Sequence, residues 1–64
     1  MKIRDVIKLI EEDGWRLART KGSHRQFRHD SKPGVVTIAG HPRKELHPET
    51  LRSIWRQARL GGKT

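Results

Sequence analysis

The sequence predicts an α+β domain of order α-β-β-β-α, a three-stranded antiparallel sheet with two helices packed on one face. Three observations carry this expectation. Apolar residues recur at helical spacing near both ends of the chain: Ile3, Val6, Ile7 and Ile10, then Leu51, Ile54, Trp55 and Ala58, each set at i, i+3, i+4, i+7. The middle of the chain has strand-like segments in place of that period. Turn signals, Gly22-Ser23 and Asp30-Ser31-Lys32-Pro33-Gly34, cut those segments apart.

Residues 3–13 form the first helix, widened by Leu9 and stopped by Gly14, which takes the left-handed conformation that ends helices. Glu11, Glu12 and Asp13 sit at the helix end whose dipole disfavours acids, which makes sense only if they meet a basic partner. Residues 15–21 and 24–29 form a hairpin around Gly22-Ser23, where glycine at the first central position suits a type II′ turn. Pairing outward from the turn gives Lys21–His24, Thr20–Arg25, Arg19–Gln26, Ala18–Phe27 and Leu17–Arg28. Ala18 and Phe27 then share the core face. His24, Gln26 and Arg28 share the opposite face with Arg19 and Lys21. The same parity sends Trp15 and Leu17 outward, so either a bulge shifts the register or that face carries an apolar patch. Residues 35–39 are the third strand, β-branched and apolar. Residues 40–44 leave the sheet as a loop. His47-Pro48-Glu49 opens the last helix, with Pro at its first position and an acid at its positive end. Arg52, Arg56, Arg59 and Lys63 fall at i, i+4, i+7, i+11, a basic stripe on another face of that helix. Gly61-Gly62 is expected to end it, with 61–64 as a fraying tail.

Sixty-four residues make one domain, 1–64, of a size at which folding buries only about 60% of the chain's surface. The chain has no cysteine, hence no disulfide staple and no thiolate metal site, which fits a reducing compartment. Charges interrupt the apolar residues of the N-terminal segment, against a signal peptide, and no run is long enough to span a bilayer. A cytoplasmic protein without a membrane partner is expected. The loudest global feature is charge: 15 Lys+Arg against 7 Asp+Glu, net +8. Such a field attracts polyanions, nucleic acid first. It is also lopsided, with Asp5, Glu11, Glu12 and Asp13 crowded at the start and no acid after Glu49.

The chain has four histidines. No two stand at i, i+4 on an expected helix and carboxylates near them are few, so no metal or other cofactor is expected. A Ser23-His24-Asp30 triad fails because adjacent strand residues point to opposite faces. His29, His41 and His47 read as strand-end, turn and helix-start residues. His24 remains, outward on a cationic face. RNA carries its own nucleophile, the 2′-hydroxyl. Its cleavage needs a base, an acid for the 5′-oxygen and cations for the charged transition state. Histidine serves as base or acid near neutrality, and Lys21, Arg25 and Arg28 are placed in sequence to clamp phosphate. The bland alternative is a histidine that only contacts the RNA backbone.

Taken in order, several segments resemble the HicA family of toxin mRNA interferases from bacterial and archaeal toxin–antitoxin systems. They are Gly14-Trp15, then Lys21-Gly22-Ser23-His24 followed by Phe27, Val35-Val36-Thr37-Ile38, Gly40-His41, and Leu46 leading into Thr50-Leu51-Arg52-Ser53-Ile54. The resemblance runs from the first helix through the last. It implies a double-stranded-RNA-binding-domain-like fold and a type II toxin that cleaves mRNA without ribosome or metal. It implies His24 as the catalytic residue, and a HicB-type antitoxin as the partner that covers the active site. Ile38-Ala39-Gly40-His41 departs from the many relatives with proline before or near that histidine, a difference that bears on local loop shape.

The leading expectation is therefore an endoribonuclease with His24 as acid or base. Arg19, Lys21, Ser23, Arg25, Gln26 and Arg28 would be RNA contacts, and Arg52, Arg56 and Arg59 contacts to RNA or antitoxin. Single-stranded RNA is the expected substrate, because the attacking oxygen must swing in line with the leaving group. The alternatives are a non-catalytic RNA-binding module of the same fold, and a basic protein that only docks an acidic partner.

Overall fold

The computed structural model describes residues 1–60. The tail expected at 61–64, with Lys63 and the Gly61-Gly62 stop, lies outside the described residues. Helix α1 spans Ile3–Glu12, strand β1 Arg16–Lys21, strand β2 His24–Arg28, strand β3 Val36–Ala39, and helix α2 Pro48–Gln57. The three strands form one antiparallel sheet in the order β1-β2-β3. This is the expected α-β-β-β-α architecture, consistent with a double-stranded-RNA-binding-domain-like fold.

The core is where the periodic patterns put it. Ile3, Val6 and Ile10 of α1 and Ile54, Trp55 and Ala58 at α2 pack with Phe27, Val36 and Ile38 of the sheet and with Trp15. Ile7 and Leu51 are half-buried at its margin. Each fully buried large side chain contributes about 1.5–3 kcal/mol. Leu46 N–H donates to Met1 O where both helices begin, and Lys32 Nζ reaches both Asp13 Oδ2 and Ala58 O where they end. The helices therefore run parallel across a single face of the sheet.

The hairpin register departs from simple alternation. Lys21↔His24, Thr20↔Arg25 and Arg19↔Gln26 pair as expected, but a bulge between Leu17 and Arg19 then sets Leu17 opposite Phe27 and Arg16 opposite Arg28. Ala18 is the extra residue and is exposed, not a core partner of Phe27. The insertion reverses the parity of everything before it. Trp15 thus enters the core at 0% exposure, where strict alternation had sent it outward. Burying an indole outweighs burying a methyl group, which is the physical reason for the bulge. Leu17 shares the face of Phe27 but stays 52% exposed on the edge strand.

Both helices end in the same motif. At α1, Gly14 N–H donates to Glu11 O and Trp15 N–H to Ile10 O, with Gly14 at φ +108°. At α2, Arg59 N–H donates to Arg56 O and Leu60 N–H to Trp55 O. Here Arg59 holds the left-handed conformation at φ 57°, so the helix stops short of the expected Gly61-Gly62. Arg59 accordingly leaves the helical stripe of Arg52 and Arg56. Pro48 stands at the start of α2 as expected, preceded by His47, whose side chain makes no capping bond.

The acids at the end of α1 find a partner in part. Lys32 Nζ donates to Asp13 Oδ2 at 2.5 Å and to Ala58 O at 3.2 Å, tying the β2–β3 loop to both helix ends. That ammonium holds the Asp13 carboxyl below its usual range, against the desolvation that acts to raise it.

Candidate functional site

The outer face of the sheet is built in rows. Cross-strand partners share a face, with Cβ atoms about 4.5–5.5 Å apart. Lys21, His24 and Ala39 form the row next to the turn. Arg19, Gln26 and Thr37 form the second, and Arg16 and Arg28 lie opposite each other in the third. The strands supply no Asp or Glu to any row. Arg16 is engaged by Asp30 at 2.5 Å in an exposed ion pair. Arg19, Lys21 and Arg28 have no carboxylate partner among the described residues. Small Ala39 beside His24 leaves the imidazole open on the β3 side.

Local chemistry holds His24 in this position. Gly22 adopts φ +59° while Ser23 stays out of the left-handed region, the combination a type II′ turn requires. Ser23 O accepts the N–H of Gly40 at 3.1 Å, and Arg25 Nη1 donates to Gly40 O at 2.9 Å. The residues on either side of His24 are thus strapped to the loop after β3, and a shallow concavity opens around the imidazole. It is lined by Arg19, Lys21, Ser23, His24, Gln26 and Thr37, with Gly22 at its turn end.

The structure brings together most of the expected site residues and separates others. Arg19, Lys21, Ser23, Gln26 and His24 share the concavity, and Arg28 lies further along the same face. Arg25 has the opposite parity, is half-buried, and is occupied by the Gly40 carbonyl. Arg52 lines the groove between α1 and α2, in the helical layer on the other side of the sheet. Arg56, one turn on, and Arg59 are exposed. His29 is an internal strut. Its Nδ1 accepts the N–H groups of Ser31 and Lys32 at 2.9 and 3.2 Å, which assigns the proton to Nε2, and this donates to Asp13 O at 2.7 Å. Trp15 meets the His29 ring edge-on with centroids 5.3 Å apart, and the Trp15 indole N–H is buried without a hydrogen-bond partner. His41 Nδ1 accepts Arg43 N–H at 3.1 Å within its turn.

Thr37 is the site residue that sequence reasoning missed. Its place beside Gln26 depends on the β2–β3 register, and the loop between those strands leaves that register open until the fold is known. Chemically, the face offers one exposed imidazole among unpaired cations, a setting for a phosphodiester. Among the described residues, no three His, Cys, Asp or Glu side chains come together as a metal cluster would require, and no helix is long and apolar enough to cross a membrane.

No curated protein matches the sequence. A family model described as "HicA toxin of bacterial toxin-antitoxin" matches residues 3–60, nearly the whole chain, including every helix and strand and the entire His24 face. A match of that extent over this architecture means that the chain belongs to the family of HicA toxins of bacterial toxin–antitoxin systems.

Proposed function

We propose that this HicA-family toxin is an endoribonuclease in which His24 moves a proton during cleavage of single-stranded mRNA. The observation that supports it is His24 itself, turned outward between Lys21 and Ala39 on a sheet face to which the strands contribute no carboxylate. The 2′-oxygen of the RNA attacks phosphorus and the bond to the 5′-oxygen breaks. One proton leaves the 2′-hydroxyl for a base, and one reaches the departing 5′-oxygen from an acid. The products are a 2′,3′-cyclic phosphate and a 5′-hydroxyl. His24 performs one of these transfers, and solvent or a neighbouring cation performs the other. Lys21 and Arg19 contact the non-bridging oxygens, where charge builds in the transition state. The reaction needs no metal ion. The partner in the toxin–antitoxin pair is a HicB-type antitoxin that covers this face, and the site of action is the cytoplasm.

The test is cleavage of a long RNA in EDTA by wild type and by His24→Ala. The expected loss in the variant is about 10²–10⁴-fold, the usual contribution of one general acid or base. RNA binding and circular dichroism of the variant establish that it is folded and still engages substrate. Equal cleavage by both proteins sinks the assignment of His24. Binding without cleavage by either would make the protein an RNA-binding module.

A further inference from the structure

The chain's aromatic side chains are Trp15, Phe27 and Trp55, and all are buried at 0%, 1% and 4% exposure. Surfaces that hold single-stranded RNA commonly stack its bases on aromatic rings, and the His24 imidazole is the one ring on this face among the described residues. Its cations reach phosphate, and phosphate contacts position RNA without reading its sequence. Besides Ser23 in the turn, the neutral hydrogen-bonding side chains that the strands bring to this concavity are Gln26 and Thr37. They are direct cross-strand partners and both line the concavity that holds His24. Gln26 lies two residues from His24 on the same face, roughly 6.6 Å along the strand. Thr37 is engaged through its backbone, whose N–H donates to Gln57 Oε1 at 3.2 Å. Among the described residues neither the Gln26 amide nor the Thr37 hydroxyl has a partner. Gln57, by contrast, bonds both Thr37 and Ser53.

We propose that Gln26 and Thr37 form a nucleobase subsite beside His24, with which the protein reads one base next to the bond it cuts. The proposal rests on the endoribonuclease reading for its second half and on binding chemistry alone for its first. A glutamine amide sets an acceptor beside a donor and pairs in two-point fashion with a base edge that does the same. Adenine alone presents such a pair on its Hoogsteen edge, N6–H with N7, where guanine shows two acceptors and the pyrimidines have no N7, so adenine is the preferred base. The Thr37 hydroxyl, donor and acceptor at once, closes the β3 side. Arg19 completes the row on β1 and holds the adjoining phosphate.

Sequencing of the cleavage ends from a random RNA pool tests this with wild type, Gln26→Leu, Thr37→Val and Arg19→Ala, each checked for fold by circular dichroism. The expected result is a preference of about 10-fold for adenine at one position flanking the cut, the size of one two-point contact. Gln26→Leu removes the preference and Thr37→Val weakens it, whereas Arg19→Ala slows cleavage at all sites alike. An unaltered preference in Gln26→Leu and Thr37→Val overturns the proposal, as does one that disappears only with Arg19→Ala. A second measurement does not depend on cleavage. Binding of His24→Ala protein to short oligo-A, oligo-C and oligo-U is expected to differ among the three and to converge when Gln26→Leu is added. Equal affinities before that change overturn the subsite. Discrimination by a wild type that cuts no RNA overturns the endoribonuclease reading and leaves the subsite standing.

Discussion

Two histidines five positions apart take opposite roles because an odd separation along a strand puts them on opposite faces. His24 faces solvent among cations, while His29 turns inward and fastens the β2–β3 loop to the end of α1 through Asp13 and the N–H groups of Ser31 and Lys32. Gly14 is fitted to that strut. A Cβ at Gly14 would lie 2.7 Å from His29 Nε2, and its φ of +108° strains any other residue. Gly14→Ala is therefore expected to cost about 1–3 kcal/mol in urea unfolding. Asp13 makes the same corner sensitive to acid. Its folded pKa lies below the ordinary 3.8, so the unfolded chain binds the proton more readily. The stabilisation is complete above about pH 5 and is lost as pH falls through 3.8 toward the folded value. The stability gap between wild type and Asp13→Asn should be constant above that range and should narrow below it.

At the level of the elements, the helices were legible from their apolar period and the turn from Gly22-Ser23, because both signals are local. The hairpin register was legible for the three pairs nearest the turn and not beyond Arg19. The bulge at Ala18 answers to the depth of the core under Trp15, which no neighbouring residue encodes. Sequence reasoning stated only that a bulge or an exposed apolar patch must result. The end of α2 was misplaced for a related reason. Glycine is the usual left-handed stop, yet the chain turns at Arg59 so that Leu60 reaches the core. Arginine in that conformation costs about 1 kcal/mol relative to glycine. Arg59→Gly is thus expected to stabilise the protein by about that amount, read as a rise in melting temperature.

The whole molecule is thin, 29 × 27 × 17 Å, with a layer of strands and a layer of helices. A net charge of +8 attracts polyanions toward any part of such a body, and among the described residues the strand rows set His24 beside cations without contributing an acid of their own. RNA seated at His24 would have to turn around the edge of the molecule to meet Arg52 in the helical groove. Each phosphate contact on single strands steepens the salt dependence of binding by about 0.7 in logarithmic slope. Arg19→Glu with Lys21→Glu is therefore expected to flatten the slope by about 1.4. Arg52→Glu with Arg56→Glu is expected to change it less, and fluorescence anisotropy across a salt series measures both. A flatter slope from the helical pair would move the RNA path onto α2.

Periodicity, turn chemistry and charge were sufficient to establish the order of elements, most of the core, the outward placement of His24 and a strongly basic balance. These properties depend on side-chain alternation over a few residues and on summed charge, both of which are present in the unfolded chain. The tertiary structure decided the rest. It set the β2–β3 register that brings Thr37 to Gln26, and the bulge that takes Trp15 inside. It also directed Arg25 to Gly40, and set Arg52 on the opposite face from His24. Each of those depends on contacts between residues far apart in sequence, whose outcome follows from how the volume of one shared core is filled.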